Sequence, residues 1–166
     1  MVISHDYKFI FIHVHRTGGT TITNLIKTRL KAKADLITQH GHLKTPEKRF
    51  LEKHSDYYRF CFVRNPWERL LSWYFLIKVI EEKPDLEKTR IGFEQFLTGD
   101  LKKMKGPFYI NQLDYLTDIN GKVQINKIGR FENYTHDVKD IFNHLDIPFS
   151  EIPHLNPSGE KYSPSF

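Results

Sequence analysis

The sequence predicts an α/β protein in which a parallel sheet is flanked by helices. Two mostly apolar runs, at residues 8–15 and 58–63, are typical of strands that are buried on both faces. Each run is followed by a polar turn and then by apolar residues at helical spacing, at 20–31 and 66–82. A third strand is predicted at 124–131, with another helix after it. Because strands and helices alternate along the chain, a parallel arrangement is favoured.

The two longest predicted helices have clear beginnings and apolar faces. The first follows a glycine pair, and Pro66 suits the first position of the second, where its missing amide hydrogen is not needed. The apolar faces are formed by Ile22, Leu25, Ile26 and Leu30 in the first helix and by Trp67, Leu70, Leu71, Tyr74 and Ile77 in the second. Shorter elements are predicted as an extended piece at 35–38, helices at 45–54 and near 93–97, a turn at Asn120-Gly121 and a last helix from Thr135.

Length and charge limit the classes of protein to consider. The 166 residues suit a single domain, 1–166, with a short C-terminal tail at 147–166. The net charge of +5 favours an anionic ligand, but no Lys- and Arg-rich stripe with interleaved aromatic residues indicates nucleic acid. The sequence shows no secretory signal and no apolar stretch long enough to span a membrane, which predicts a soluble, cytoplasmic protein. The single cysteine, Cys61, lies in an apolar run and is predicted to be buried.

The turn after the first predicted strand has the composition of an anion-binding loop. Its two glycines let the backbone turn sharply and approach a ligand, and the first amides of the next helix have no intrahelical partner. The helix dipole adds positive potential at the same place. Backbone amides, three hydroxyls and one guanidinium are available there, from Arg16, Thr17, Gly18, Gly19, Thr20 and Thr21. This loop predicts a cradle for phosphate or a close analogue; alternatively, it is only a turn with a threonine helix cap.

A second polar stretch follows the second predicted strand. Arg64 stands at the carboxyl end of that strand, the edge at which ligands bind in open α/β sheets. Ser72 lies two helical turns further on and could share an anion with Arg64 if the chain folds back at Pro66. The alternative is structural: Arg64 pairs with a nearby acid, and Glu68 and Arg69 form a solvated helix face.

Together the two stretches resemble those of the sulfotransferases that use 3′-phosphoadenosine 5′-phosphosulfate (PAPS), most closely the carbohydrate sulfotransferase family (sulfotransferase family 2-like). The first resembles the 5′-phosphosulfate loop, a basic residue followed by Thr-Gly-Gly-Thr. The second resembles the 3′-phosphate motif, Arg-Asn-Pro followed by Arg-Leu and then Ser. Three further segments agree in order: Gln39-His40-Gly41-His42, Ile128 to Asn133, and Pro153 to Asn156. The resemblance covers about residues 8–160 and implies a P-loop-like sulfotransferase fold.

The resemblance also implies a reaction and a set of roles. The reaction moves a sulfuryl group from PAPS to a hydroxyl of a carbohydrate, leaves the desulfated nucleotide PAP, and needs no metal. Arg16 is expected to contact the sulfuryl and bridging oxygens, residues 17–21 the 5′-phosphate, and Arg64 with Ser72 the 3′-phosphate. A neutral histidine suits the general base near neutral pH. His42 is the expected base, with His40 as second choice and Glu68 as a weaker candidate. Around the pocket the candidates are one of His13 and His15, together with Arg130 and Asn156. The alternatives are structural: an exposed loop position for His40 and His42, a buried and hydrogen-bonded side chain for His13, and an ion pair for Arg130.

Two other functions stay open at this point. A P-loop nucleotide kinase needs a Lys followed by Ser or Thr at the end of the loop, whereas Thr20-Thr21-Ile22 stands there. A non-catalytic, truncated relative would bind a nucleotide or an anionic glycan without transfer. Two departures from the family pattern bear on this: many members carry Lys where this chain has Arg16, and the chain stops at Phe166, where relatives continue. The sequence leaves the acceptor and the oligomeric state open.

Overall fold

The computed structural model describes residues 1–30, 33–37, 50, 52–81, 92–100, 111–118 and 120–148. These residues form one mixed sheet of five strands with helices packed against it. The strands are β1 (Val2–Ser4), β2 (Phe9–Ile12), β3 (Asp35–Leu36), β4 (Tyr58–Val63) and β5 (Lys127–Arg130). The helices are α1 (Gly19–Leu30), α2 (Pro66–Glu81), α3 (Leu113–Leu116) and α4 (Tyr134–His144), with a π-helical turn at Phe96–Asp100 and a 3-10 turn at Phe131–Asn133.

The strand order of the sheet is β3-β1-β2-β4-β5. Its centre is parallel, as predicted, because β2 pairs with β4 and β4 pairs with β5, with Phe9 beside Tyr58 and Val63 beside Arg130. The predicted parallel arrangement does not extend to the other edge, where β1 runs antiparallel to both β2 and β3. Residues 5–8 link β1 to β2 as a tight turn, and a link this short permits only antiparallel pairing.

This topology decides where a site can form. Because β2, β4 and β5 are parallel neighbours, their carboxyl ends lie at one edge of the sheet. The loop before α1, the turn before α2 and the 3-10 turn before α4 therefore leave the sheet side by side. Ligands of open α/β sheets bind at this kind of edge.

The central strands are buried on both faces, which explains their nearly continuous apolar sequences. Alternate side chains of β2 and β4 point to opposite faces of the sheet. On one face α1 and α4 pack against Phe9, Phe11, Phe60 and Phe62. On the other face Ile10, Ile12 and Cys61 pack with Tyr115 and Leu116 of α3. The prediction that Cys61 is buried is confirmed, and burial raises the pKa of its thiol.

Most predicted boundaries move by a few residues. β2 ends before the predicted 8–15 does, since the chain leaves the sheet at His13, and β5 begins at Lys127. The predicted turn at Asn120-Gly121 is present, with Gly121 at φ 76° and Thr117 bridged to Val123. Residues 50, 52, 53 and 92–95 are helical. His54, at the predicted end of the helix at 45–54, is a turn residue, and residues 45–49 and 51 of that helix lie outside the described residues, as do residues 149–166 of the tail. Among the described residues, no helix is long and apolar enough to cross a membrane.

Candidate active site

The loop between β2 and α1 turns through two residues with left-handed backbone conformations. Arg16 has φ 63° and Gly18 has φ 80°, a region that glycine adopts freely and other L-residues rarely adopt. A β-carbon on Gly18 would lie 2.7 Å from the Tyr134 ring, and one on Gly19 would overlap the His13 ring. Packing as well as backbone geometry therefore requires the glycine pair, and the strained arginine stands where strain is typical of functional sites.

The beginning of α1 presents backbone amides at this edge. The amides of Thr21 and Ile22 donate to the Gly18 carbonyl at 3.0 and 3.4 Å. The Tyr134 hydroxyl donates to the same carbonyl at 2.6 Å, and burial raises the pKa of Tyr134, which keeps that donor protonated. The amides before Thr21 precede the helical ladder, so the helix itself has no acceptor for them. The positive end of the helix dipole lies at the same place, which suits an anion.

The three predicted threonine ligands differ in how they face the site. Thr17 is buried and its hydroxyl donates to the Val14 carbonyl at 2.9 Å, so its backbone amide is the donor that it can offer to a ligand. Thr21 is also buried, whereas Thr20 is exposed. A solvent-side anion would therefore meet the Thr20 hydroxyl before either of the other two.

The two polar stretches predicted from the sequence meet through Arg16 and Ser72. The Arg16 guanidinium donates to the Ser72 hydroxyl oxygen from Nε at 3.0 Å and from Nη2 at 2.7 Å. Sequence reasoning assigned Ser72 to Arg64, but here its hydroxyl contacts the cation of the first loop. Burial lowers the pKa of the Arg16 guanidinium, and the nearby charge of Arg64 lowers it further. Two guanidinium groups thus lie near each other in a half-buried region, and a bound anion would stabilise their positive charges.

Arg64 is held by an acid and an aromatic ring at the end of β4. Its Nε and Nη2 atoms lie 3.4 Å from the Glu68 carboxylate, and its guanidinium carbon lies 4.3 Å from the centre of the Phe131 ring. The alternative in which Arg64 pairs with a nearby acid is therefore present in the structure. Glu68 is 54% exposed, so this ion pair is a weak, solvent-screened contact.

Asn65 and Pro66 begin α2 at the same edge. The Asn65 side-chain oxygen accepts hydrogen bonds from the amides of Trp67 and Glu68 at 3.0 and 3.4 Å, which makes it the helix cap. The Asn65 amide donates to the Glu132 carboxylate from the 3-10 turn. Sequence reasoning identified Pro66 as the first helical residue but missed the cap, which the asparagine before the proline signals.

Arg69 is a framework residue that sequence reasoning misplaced. It is 1% exposed, so the alternative of a solvated helix face is wrong for Arg69. Its Nε donates to the His15 carbonyl at 2.8 Å, and His15 Nδ1 lies 2.8 Å from the Tyr115 hydroxyl. Burial lowers the pKa of the Arg69 guanidinium, and the Tyr115 side chain opposes that shift. These contacts tie the first loop to α2 and α3.

The remaining candidates are placed as follows. The predicted bases His42 and His40, and Asn156 in the tail, lie outside the described residues. His13 is buried beside α1, and the Arg130 side chain is exposed while its amide donates to an aspartate of α4. Within the described ranges, no group of three His, Cys, Asp or Glu side chains is arranged to hold a metal ion.

Comparison with known proteins defines the class. Residues 1–161 match the sequence profile of the Sulfotransferase family, and the chain belongs to this family. Family membership supports sulfuryl transfer as its general chemistry and makes it a sulfotransferase. The chain is similar to an uncharacterized protein from Archaeoglobus fulgidus, with 28% identity over 94 residues, which are 55% of this chain and 70% of the relative. No solved structure matches it.

Proposed function

We propose that the protein transfers the sulfuryl group of PAPS to a hydroxyl group of a carbohydrate. The observation that carries the proposal is the contact between Arg16 and Ser72 beside Arg64, at the carboxyl edge of the sheet. It joins two stretches of chain that each resemble one half of a PAPS site. The carbohydrate acceptor rests on the family resemblance of the motifs.

The donor set fits a nucleotide with two separate anionic ends. The amides at the beginning of α1 and the Arg16 guanidinium provide positive charge for the 5′-phosphosulfate end. Arg64, at the end of the neighbouring strand β4, provides a second cation for the 3′-phosphate. ATP has no 3′-phosphate, so Arg64 would distinguish PAPS from ATP. The loop also lacks the lysine of magnesium-dependent nucleotide hydrolases.

Ser72 adds a hydroxyl beside the Arg16 guanidinium. A hydroxyl has one donor hydrogen and two acceptor lone pairs. Ser72 accepts hydrogen bonds from Nε and Nη2 of Arg16, which engage the lone pairs of its hydroxyl oxygen. The hydroxyl hydrogen can therefore donate to an anion. The hydroxyl thus orients the Arg16 guanidinium and completes the cradle.

Sulfuryl transfer requires that donor and acceptor are positioned in line and that the charge developing on the leaving group is stabilised. PAPS supplies the sulfuryl group: the acceptor oxygen bonds to sulfur, the bond from sulfur to the 5′-phosphate oxygen breaks, and the acceptor proton passes to a base. Arg16 and the α1 amides stabilise the charge that develops on the leaving phosphate. His42 is the proposed base, with His40 as second choice, on the family resemblance. Glu68 is a weaker choice because it already pairs with Arg64.

Calorimetry with nucleotides in EDTA tests the donor site. PAP is expected to bind the wild-type protein at least tenfold more tightly than AMP, because one charge-assisted contact contributes about 1.5–3 kcal/mol. ADP is expected to resemble AMP. Equal binding of PAP and AMP would contradict the assignment of Arg64. In a second titration with magnesium in place of EDTA, tighter binding of ADP than of PAP would favour the kinase.

A transfer assay then separates an enzyme from a binder. Labelled sulfate is expected to pass from PAPS to members of a glycan panel in the presence of EDTA. A second panel contains alcohols that are not carbohydrates. Tight PAP binding without transfer to either panel would favour the non-catalytic relative, and transfer only to the second panel would overturn the carbohydrate acceptor. His42→Ala and His40→Ala, assayed in parallel, identify the base.

A further inference from the structure

Gln112, a residue that the predicted site does not include, holds the backbone of Arg64. Its side-chain oxygen accepts from the Arg64 amide at 2.9 Å, and its side-chain nitrogen donates to the Arg64 carbonyl at 2.7 Å. Paired residues of antiparallel strands exchange the same two bonds. At the end of β4, the Gln112 side-chain amide therefore makes the same two hydrogen bonds with the Arg64 backbone that a paired residue of an antiparallel strand would make.

This clamp acts where regular structure ends. The ladder between β4 and β5 extends to Val63 and Arg130, and α2 begins at Pro66. Arg64 lies between the two, outside both the ladder and the helix. A residue in such a position depends on other groups to satisfy and fix its backbone. Gln112 satisfies both the amide and the carbonyl of Arg64, and so sets the point from which the guanidinium extends.

The segment that carries Gln112 also touches the first loop. The Asn111 side chain accepts from the Leu113 amide at 3.0 Å and starts α3. Three residues after Gln112, the buried Tyr115 places its hydroxyl 2.8 Å from Nδ1 of His15. His15 immediately precedes Arg16. One short segment, 111–116, thus contacts the backbone of one site arginine and the neighbour of the other.

We infer that Gln112 is a positioning residue for donor recognition: its amide holds Arg64 where the guanidinium meets the 3′-phosphate. This inference rests on the proposed function. Gln112 acts through Arg64, so its loss should affect the 3′-phosphate far more than the rest of the nucleotide. A residue needed only for stability would instead weaken PAP and AMP binding together.

The test compares PAP with AMP on three variants. Gln112→Met keeps the length of the side chain and removes both hydrogen bonds. Gln112→Asn keeps the amide but shortens the side chain by one methylene, so it cannot make both bonds in place. Leu113→Ala is the control on the same segment, because the Leu113 side chain is 52% exposed. Each variant is first checked by thermal unfolding, and then PAP and AMP affinities are measured by calorimetry.

The expected result is a change in selectivity. The ratio of PAP to AMP affinity is expected to fall about tenfold in Gln112→Met, as for the loss of two neutral hydrogen bonds, and by a smaller factor in Gln112→Asn. Leu113→Ala should keep the wild-type ratio. On an Arg64→Ala background, Gln112→Met should change the ratio no further. If Gln112→Met does not fold, the ratio of PAP to AMP affinity in Gln112→Asn decides whether Gln112 positions Arg64.

Three results separate this inference from the proposed function. A wild-type protein with no preference for PAP over AMP would contradict the proposed donor site itself. A wild-type preference that persists in folded Gln112→Met or Gln112→Asn would overturn the role of Gln112 alone. A further fall in the ratio of PAP to AMP affinity when Gln112→Met is added to Arg64→Ala would also overturn the role of Gln112, because that effect would not pass through Arg64.

Discussion

Substitution of Arg16 separates the role of its guanidinium from the strain of its backbone. Arg16 has φ 63°, a conformation that costs an L-residue about 1–2 kcal/mol relative to glycine. Arg16→Gly and Arg16→Ala both remove the guanidinium and its two bonds to Ser72, but only glycine adopts this backbone without strain. The free energy of unfolding of the Gly variant should therefore exceed that of the Ala variant by about 1 kcal/mol.

Sulfate transfer should fall equally in both variants. Each loses the cation beside the amides that begin α1, and with it a preorganised donor for the developing charge. Loss of one such donor costs about 2–4 kcal/mol of transition-state stabilisation, or roughly 30- to 1,000-fold in rate. The more stable of the two variants should thus be as inactive as the less stable one.

Thermal unfolding and labelled-sulfate transfer provide the two measurements. For a chain of this size, about 1 kcal/mol corresponds to a melting temperature about 2–4 °C higher for Arg16→Gly than for Arg16→Ala. Lys127→Ala is the charge-matched control, since Lys127 pairs with Asp140 on the surface at 2.6 Å. It should leave transfer unchanged. An Ala variant that melts at or above the Gly variant would refute the strain argument, and wild-type transfer by either would refute the role of the guanidinium.

Three further substitutions test other parts of the site. Arg64→Ala should weaken PAP binding roughly 10- to 100-fold in calorimetry and leave AMP binding nearly unchanged, because it removes one charge-assisted contact. Gly18→Ala should lower the melting temperature more than Gly121→Ala: both glycines have positive φ, 80° and 76°, but only at Gly18 would the new β-carbon meet a ring, that of Tyr134. Ser72→Ala should slow sulfate transfer about tenfold, because it removes one hydroxyl donor.

Each of these expectations can fail on its own. Parallel losses of PAP and AMP binding in Arg64→Ala would indicate a structural rather than a recognition role. Equal melting temperatures for the two glycine variants would show that the Tyr134 ring moves aside at little cost. Normal transfer by Ser72→Ala would mean that the Arg16 guanidinium is held without that hydroxyl.

The parts of the site that could be predicted from the sequence are those that depend on residues close together in the chain. The glycine pair lies between an apolar run and an amphipathic stretch, and neighbouring residues suffice to predict strand, turn and helix there. Pro66 signals the start of α2 in the same way. The antiparallel β1 was not predicted, since its three residues, Val2, Ile3 and Ser4, are too few to show a periodicity that distinguishes a strand.

The connections between those parts depend on residues far apart in the chain. Ser72 contacts Arg16 across 56 residues, Gln112 holds Arg64 across 48, and the Tyr134 hydroxyl reaches the loop across 116. Nothing in the local pattern around a serine, a glutamine or a tyrosine indicates which distant backbone or side chain it will meet. The sheet order decides these partners, because it sets which strand ends are neighbours.

The amino-acid sequence by itself therefore determined the two groups of polar donors that we propose bind anions, and the strands that precede them, since each depends on contacts within a few residues. Only the tertiary structure decided that Ser72 turns toward Arg16, that Arg69 is buried, and that the segment 111–116 touches both stretches. The physical reason is that side-chain hydrogen bonds extend only about 3 Å. Which groups come that close depends on how parallel strands and their helices pack, not on any single segment.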